Sequence, residues 1–341
     1  MNGLFNSAFT LLLSASLIMG GNRLVFTPKE DQTAAVNPHK GFVQPADEFD
    51  PSSSCSKLTN ILYSGFTAEQ LKSGDGFMLS PVDSAADKAF SSGRTLAAGI
   101  SAKDADSAET MKKLAKALSA RYDGSEKIEF IFLDIPQADE SIRRDILESW
   151  DSAFRTTPVA IDPDDSLYGK VTSKGIIAYD IDASLSESEL YDGCRYFPLT
   201  EASCKASPET AEAVLNRTGY NFTIKFTSFY FDKNEAVLSV KIGNTGSASA
   251  DFPLTLEAAV CDKNGTAFTR TGGTAVINAD SLAAGSEQTY ELRFDRSLIP
   301  NKKDVYISLG AFEDTGALSP DIVLANKTTG NTNYVILGQI K

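Results

Sequence analysis

The period of the hydrophobic pattern changes once along this 341-residue chain, close to residue 220. Before that point, short apolar runs alternate with segments whose apolar residues recur every three or four positions, as in amphipathic helices. After it, apolar and polar residues alternate, as in 220–227, and no long helical pattern occurs. The change predicts two domains of different class, the first α/β and the second all-β.

The first domain is predicted to be a parallel sheet covered by helices. Its predicted strands are 58–65, 76–81, 94–101, 128–135, 158–162, 175–182 and 195–200. Its predicted helices are 107–122, 139–154 and 207–217, and the first carries Met111, Leu114, Leu118 and Tyr122 on one face. A complete (β/α)₈ barrel usually takes about 250 residues, and roughly 160 are available here. We therefore predict a shortened or incomplete (β/α) barrel over 55–217, with a doubly wound open sheet as the alternative.

The second domain, 218–341, is predicted to be a β-sandwich of the immunoglobulin-like type. After 220–227, its strands are predicted at 236–242, 254–261, 290–294, 305–312, 321–324 and 334–340. Turn signals separate them, at 243–246 and at Lys263-Asn264-Gly265, which favours a hairpin.

The N-terminal 21 residues resemble an export segment. An apolar run at 9–19, followed by Gly20 and Gly21, fits the core of a signal peptide and is short for a spanning helix. The preceding residues contain no Lys or Arg, which leaves three interpretations: a cleaved signal, an uncleaved anchor, or a start site assigned too far downstream. We expect a secreted or cell-surface protein whose membrane contact is limited to this segment, followed by a linker over 22–54.

Four cysteines in an exported chain permit disulfides. Cys194 and Cys204 lie ten positions apart around a turn-prone stretch with Pro198, so we predict a Cys194–Cys204 disulfide. Four reduced, buried thiols are the alternative.

Charge and composition exclude several function classes. The net charge is −13, and residues 1–219 hold 32 acidic and 21 basic side chains, which argues against a nucleic-acid partner. The single histidine weakens zinc and Ser-His-Asp proposals. Leu185 and Tyr191 replace the Gly and Glu that a calcium loop starting at Asp180 would need. We predict neither a metal nor a cofactor, and the oligomeric state stays open.

A family resemblance rests on Asn37-Pro38-His39-Lys40-Gly41-Phe42 and, more closely, on 219–222, 240–246 and 334–340. These segments resemble a group of secreted bacterial proteins of unknown function that open with Asn-Pro-Glu-Arg-Gly-Phe. Members pair a glycosidase-like barrel with a C-terminal β-sandwich. The resemblance implies a protein that works on or with carbohydrate, or another component of the cell envelope.

Glycoside hydrolysis needs two carboxyl groups, and barrels place them at the C-terminal ends of strands. In glycosidase-like barrels the acid/base and the nucleophile commonly follow the fourth and seventh strands, which here selects Asp134 and Glu201. Candidate ligand-binding residues at other strand ends are Asp83, Asp162, Asp180 and Tyr179. The same carboxylates are also ordinary helix caps and loop residues.

Two hypotheses follow. In the first, the chain is a carbohydrate-associated binding or surface protein with reduced or absent catalysis, because the barrel is short and has neither the Gly-rich, Trp-containing Glu motifs of related barrels nor more than one Trp. In the second, it is a glycoside hydrolase that uses Asp134 and Glu201.

Overall fold

We analysed a computed structural model that describes residues 23–31, 36–102, 108–135, 138–170, 175–262, 265, 268–313, 315–326 and 332–340. The predicted export segment and Asn264 of the predicted hairpin turn lie outside these residues. The chain divides into two compact units, Ala34–Gly219 and Met1–Thr33 together with Tyr220–Lys341. None of the helices in the described part is both long and apolar enough to cross a membrane.

Strands are numbered along the whole chain, and β1 (Leu24–Phe26) belongs to the second unit. The strands of the α/β unit are β2 (Gly41–Pro45), β3 (Thr59–Thr67), β4 (Lys72–Ser73), β5 (Gly76–Phe77), β6 (Thr95–Ser101), β7 (Ile128–Asp134), β8 (Val159–Ile161), β9 (Ile176–Ala178) and β10 (Tyr196–Pro198). Its helices are α1 (Ala68–Leu71), α2 (Ser80–Ser91), α3 (Ala108–Tyr122), α4 (Glu140–Ala153), α5 (Glu201–Ala206) and α6 (Pro208–Arg217).

Seven of these strands form one parallel sheet in the order β10-β2-β3-β6-β7-β8-β9. Neighbours in the sheet are neighbours in the chain, except that β10 returns to pair with β2. This order curls the sheet, because strands from both ends contribute to one inner cluster: Tyr196 of β10 and Tyr179 after β9 both contact Phe130 of β7. The unit is thus a curled parallel half-barrel.

The half-barrel stays open between β9 and β10, since no pairing joins these strands in the described residues. The segment 179–195 occupies that side. Ile181 packs against the inner cluster, and the Tyr191 hydroxyl donates to the Ala178 carbonyl, 2.5 Å away. An irregular segment therefore stands where a further strand would complete the barrel.

Helices cover the outer face of the sheet. The predicted inward face of α3 is confirmed, since Met111, Leu114, Leu118 and Tyr122 are all buried. On α4, Trp150 is fully buried and stacks on Phe154, with 5.8 Å between ring centroids.

Two predictions in this unit are wrong. The predicted strand 76–81 forms only β5, which pairs with β4, and α2 begins at Ser80 because Pro81 suits the first turn of a helix. The predicted linker 22–54 contains β1 and β2, and β2 lies inside the sheet. Its apolar run, Phe42-Val43, is only two residues long and sits among polar and glycine residues, so it gives a weak strand signal.

The second unit contains two four-stranded antiparallel sheets, ordered β1-β11-β12-β15 and β14-β13-β16-β17. The strands are β11 (Phe222–Asp232), β12 (Glu235–Asn244), β13 (Leu254–Cys261), β14 (Phe268–Ile277), β15 (Glu287–Asp295), β16 (Tyr306–Phe312) and β17 (Val335–Gln339). Side chains from both sheets share one core, for example Leu238 and Leu292 with Leu256 and Leu309. β14 had no clear pattern in the sequence, and the predicted strand 321–324 is reduced to a bridge between Ile322 and Ala311.

The predicted Cys194–Cys204 disulfide is wrong, because the bond joins Cys55 to Cys204, whose Cα atoms are 6.0 Å apart. Cys194 precedes β10 and Cys204 lies on α5 after it. The extended residues 194–200 advance about 20 Å at about 3.3 Å per residue. The helical residues 201–204 span only about 6 Å, so they cannot bring Cys204 back to Cys194. Disulfides need Cα atoms closer than about 7 Å. Cys194 and Cys261 are buried thiols.

Candidate functional site at the carboxyl edge of the half-barrel

The carboxyl ends of β3, β6, β7 and β8 meet at one edge of the curled sheet and surround a cavity of about 850 Å³. Residues after β9 complete its wall. Parallel strands necessarily bring their carboxyl ends to the same edge, which is where ligands bind in α/β sheets. This cavity, which we call the acidic lobe, is the candidate site.

Two glycines of adjacent strands line the acidic lobe. Gly65 of β3 and Gly99 of β6 are direct partners in the sheet, and Phe132 of β7 pairs with Gly99. A Cβ atom at Gly99 would lie 2.0 Å from the Tyr63 hydroxyl, so the Tyr63 ring occupies the space that a side chain at residue 99 would need. Tyr63 therefore fills the space over Gly99, Gly65 adds no side chain of its own, and the aromatic residues in the lining are Tyr63, Phe66 and Phe132.

Acidic side chains dominate the wall of the acidic lobe. Its carboxylates are Asp134, Asp162, Asp164, Asp165, Asp180, Asp182 and Glu189. One cation, Arg143, lies among the described lining residues, and its guanidinium is paired with Asp165, 2.5 Å away. The lobe therefore carries a negative charge that its own residues leave largely uncompensated.

Burial and mutual repulsion shift the acids of this lobe. Burial raises the pKa of Asp134. Burial also raises the pKa of Asp162, and the neighbouring charges of Asp180, Asp164 and Asp182 add to that effect. Burial and the charge of Asp134 raise the pKa of Tyr63. In all three groups the pKa rises because the charged form is costly, as expected in a site that lacks a compensating cation.

Two of the acids also shape their loops. Asp162 accepts a hydrogen bond from the Asp164 amide at 2.8 Å, and Asp180 accepts one from the Asp182 amide at 3.0 Å. These local turns are typical of Asp after a strand. The Asp134 carboxylate has no hydrogen-bond partner within the part of the chain that the structure describes, so both its oxygens are available to a ligand.

A smaller cavity of about 430 Å³ adjoins the acidic lobe, since Tyr63, Gly65 and Ile181 line both. We call it the apolar lobe. Its other lining residues are Val43, Pro45, Ala46, Asp47, Ser64, Tyr179, Pro198, Leu199 and Thr200. Asp47 carries the charge among them, so the two lobes differ in chemistry while opening at the same edge.

The structure brings together three of the predicted site residues. Asp134, Asp162 and Asp180 all line the acidic lobe. Tyr179 lies in the inner cluster, 1% exposed, with its ring 5.3 Å from Phe130, so it forms the base of the apolar lobe rather than an open platform.

Glu201 lies elsewhere. It is the first residue of α5, and its carboxylate is bound by the Ser53 hydroxyl, by Gln44 at 3.3 Å and by Lys205 at 3.0 Å. Val43 packs inward, so the alternation of a strand turns Gln44 to the outer face of β2. Glu201 is therefore held on the outer side of the sheet, and hydrogen bonds from Ser53 and Lys205 lower its pKa.

Asp83 also lies elsewhere. The sequence pattern predicts it at a strand end, and this is wrong because it belongs to the first turn of α2. Its carboxylate pairs with Arg121 at 2.7 Å and accepts from the Tyr122 hydroxyl, both on α3. Asp83 thus joins two helices of the outer layer.

Sequence reasoning missed Gly65, Gly99 and Ser101, which line the acidic lobe beside Asp134. The two glycines had a usable signal, since glycine within a predicted strand often marks a close approach of backbone and another group. Ser101 had none beyond its position at the end of a strand.

The opposite, amino edge of the half-barrel holds a buried polar cluster. Glu129 of β7 contacts His39 Nδ1 at 3.0 Å and accepts from the Tyr196 hydroxyl at 2.9 Å and the Thr95 hydroxyl at 3.1 Å. Burial opposes ionisation of Glu129, but these partners outweigh it and lower its pKa. His39 thus holds a buried carboxylate. Beside it Lys40 is 1% exposed, and burial lowers the pKa of its ammonium to about 7.

Among the described residues, no group of three or more His, Cys, Asp or Glu is placed to hold a metal ion.

No family model matches the chain, and no curated protein is similar to it in sequence. Solved structures that align with the chain include glycoside hydrolases. A family 39 glycoside hydrolase from the gut symbiont Bacteroides cellulosilyticus WH2 aligns with a TM-score of 0.35 and 10% identity, over 76% of this chain and 81% of that protein. Beta-glucosidase 3B from Thermotoga neapolitana gives a TM-score of 0.24 and 10% identity, over 86% of this chain and 40% of the enzyme. Beta-glucosidase D2-BGL from Chaetomella raphigera gives 0.23 and 12%, over 96% of this chain and 55% of the enzyme.

Proposed function

We propose that this chain is an exported protein that binds a neutral or amino-bearing sugar in the acidic lobe, with reduced or absent catalysis. The observation that carries the proposal is the cavity itself: about 850 Å³ at the carboxyl edge, lined by hydrogen-bond acceptors and by the aromatic residues Tyr63, Phe66 and Phe132. Carboxylates are pure acceptors that suit sugar hydroxyls, and ring faces suit the CH groups of a sugar.

Charge narrows the sugar. Seven carboxylates and one cation, Arg143, line the lobe, and Arg143 is already paired with Asp165. An anionic sugar such as a glucuronide is therefore repelled, whereas an ammonium group on an amino sugar is attracted. The raised pKa of Asp162 supports this, because the charges of Asp180, Asp164 and Asp182 add to the effect of burial there, and a bound cation would relieve that repulsion.

Reduced catalysis is proposed because the expected carboxylate pair is divided. Asp134 faces the acidic lobe, while Glu201 is bound by three partners on the outer side of the sheet. A two-carboxylate mechanism needs both groups on one substrate, about 5–9.5 Å apart.

Export is proposed from the apolar run at 9–19 and from the Cys55–Cys204 disulfide, since disulfides persist in oxidising compartments. In this proposal the second unit is an immunoglobulin-like sandwich that supports the half-barrel at the cell surface or in a secreted protein. The motif at 37–42 and the C-terminal strands link the chain to the secreted bacterial family with a glycosidase-like barrel.

The second candidate is a glycoside hydrolase in which Asp134 acts as general acid. One observation favours it: burial raises the pKa of Asp134 in the same cavity that holds Asp162 and Asp180, as a proton donor beside ionised carboxylates requires. In this case Asp162 or Asp180 takes the role that was expected of Glu201.

Isothermal titration calorimetry with methyl glycosides tests the proposal, using the glucoside, galactoside, xyloside, glucosaminide and glucuronide. We expect millimolar or tighter binding of at least one neutral or amino sugar, none of the glucuronide, and at least a tenfold loss in Asp134→Asn. The matched control is Glu201→Gln, which removes a carboxylate charge outside the cavity and should leave the affinity unchanged.

Absence of binding to every neutral and amino glycoside would refute the proposal, as would an equal loss in Glu201→Gln. Release of nitrophenol from the corresponding nitrophenyl glycosides, abolished in Asp134→Asn and retained in Glu201→Gln, would establish the hydrolase instead.

A further inference from the structure

The two lobes at the carboxyl edge adjoin and differ in chemistry. Tyr63, Gly65 and Ile181 border both lobes, and residue 65 places no side chain between them. A site of this shape accommodates a molecule with one polar and one apolar part.

The apolar lobe is large enough for a ring. A cavity of about 150 Å³ lined by aliphatic side chains accommodates benzene, and the apolar lobe measures about 430 Å³. Val43, Pro198 and Leu199 supply aliphatic surface, and the buried ring of Tyr179 closes the base. Burial of an apolar group there removes its surface from water, which contributes about 25 cal/mol per Å².

We propose that the ligand is a glycoside whose aglycone is apolar, with the sugar in the acidic lobe and the aglycone in the apolar lobe. The inference deepens the proposed function and rests on it. Polar groups in the acidic lobe orient the sugar, and the apolar lobe selects what is attached to it, as is usual for sites in which a few polar groups fix orientation within an apolar lining.

Calorimetry with matched phenyl and methyl glycosides of the same sugar tests the inference. We expect the wild-type protein to bind the phenyl glycoside at least tenfold more tightly than the methyl glycoside. In Ala46→Leu, which enlarges a residue that lines the apolar lobe, this preference should fall below threefold while the affinity for the methyl glycoside stays unchanged.

The matched control is Ala120→Leu, the same substitution at an exposed position of α3, which should retain the full preference. If Ala46→Leu fails to fold, Gly65→Val serves as the second variant, because it adds a side chain at a residue that borders both lobes.

The outcomes separate the two claims. Equal affinity of the wild-type protein for phenyl and methyl glycosides overturns the inference and leaves sugar binding intact. Equal weakening of both ligands in Ala46→Leu also overturns it, because the lobes would then not be distinct. Absence of binding to any of the glycosides overturns the proposed function and the inference together.

Discussion

Removal of the Cys55–Cys204 disulfide is expected to destabilise the α/β unit strongly. The bond spans 149 positions, so it ties the segment after β2 to α5 near the end of the unit. For a loop of that length, the chain-entropy model gives a contribution of about 5 kcal/mol to the free energy of unfolding at 25 °C. That is comparable to the whole stability of many domains, about 5–15 kcal/mol.

The measurement is urea unfolding followed by fluorescence of Trp150, which is fully buried in this unit. We expect dithiothreitol to lower the free energy of unfolding of the wild-type protein by about 5 kcal/mol, and to leave the Cys55→Ala/Cys204→Ala variant unchanged. Comparison of oxidised with reduced wild-type protein avoids any change of side-chain volume, which the double variant cannot.

The pairing itself is expected to be unique. Burial raises the pKa of the Cys194 thiol to about 12, so it is protonated at neutral pH and a poor nucleophile for exchange with the neighbouring disulfide. Non-reducing peptide mapping should therefore recover the 55–204 linkage alone. A linked peptide that contains Cys194, or an unfolding curve insensitive to reductant, would refute the reasoning.

Three further predictions concern single residues. Because burial lowers the pKa of Lys40 from 10.5 to about 7, the unfolded chain holds a proton that the folded one releases between these values; wild-type stability should therefore rise with pH across this window, and the advantage of Lys40→Met should shrink by about 1.4 kcal/mol per pH unit, with a constant difference refuting it. Gly99→Ala should cost about 1–3 kcal/mol because its Cβ would overlap Tyr63, whereas Gly65→Ala, whose Cβ would meet the Tyr63 hydroxyl at 3.6 Å, should be nearly neutral; equal costs in thermal melts would contradict the geometry. Burial raises the pKa of Asp134 above its usual value of 3.8, so between these two pKa values the folded chain holds a proton that the unfolded chain has released. Stability therefore falls as pH rises from 3.8 to the folded pKa. Asp134→Asn should have a higher melting temperature than the wild type at pH 7 and lose that advantage below about pH 4.

Local periodicity predicted most of the elements, because their signals lie within the elements themselves. The strand at Leu254–Cys261 and the helix at Pro208–Arg217 match their predicted bounds within one residue. The curl of the sheet left no such signal. It depends on β10 returning to β2, a pairing of residues about 155 positions apart.

The predicted catalytic positions survived two errors that cancel. The sequence pattern assigns β2 to a linker and 76–81 to a strand, so β7 and β10 still count as fourth and seventh among the parallel strands. Asp134 therefore ends the fourth strand as expected, but the count could not tell where Glu201 points. That direction depends on the start of α5 directly after β10 and on three partners from distant parts of the chain and from α5 itself.

The two edges of the half-barrel differ in how well their carboxylates are compensated by partners. At the amino edge, His39 and Glu129 satisfy each other, and the segment that resembles a family motif is committed to holding buried charge. At the carboxyl edge, burial raises the pKa of Asp134 and, with help from neighbouring carboxylates, that of Asp162, so their ionised forms cost the fold stability. Sites that bind ligands commonly retain such unfavourable arrangements. Substitutions that neutralise the carboxyl edge should therefore stabilise the protein while they weaken the proposed sugar binding, and the motif segment should matter to the fold without contacting the proposed ligand.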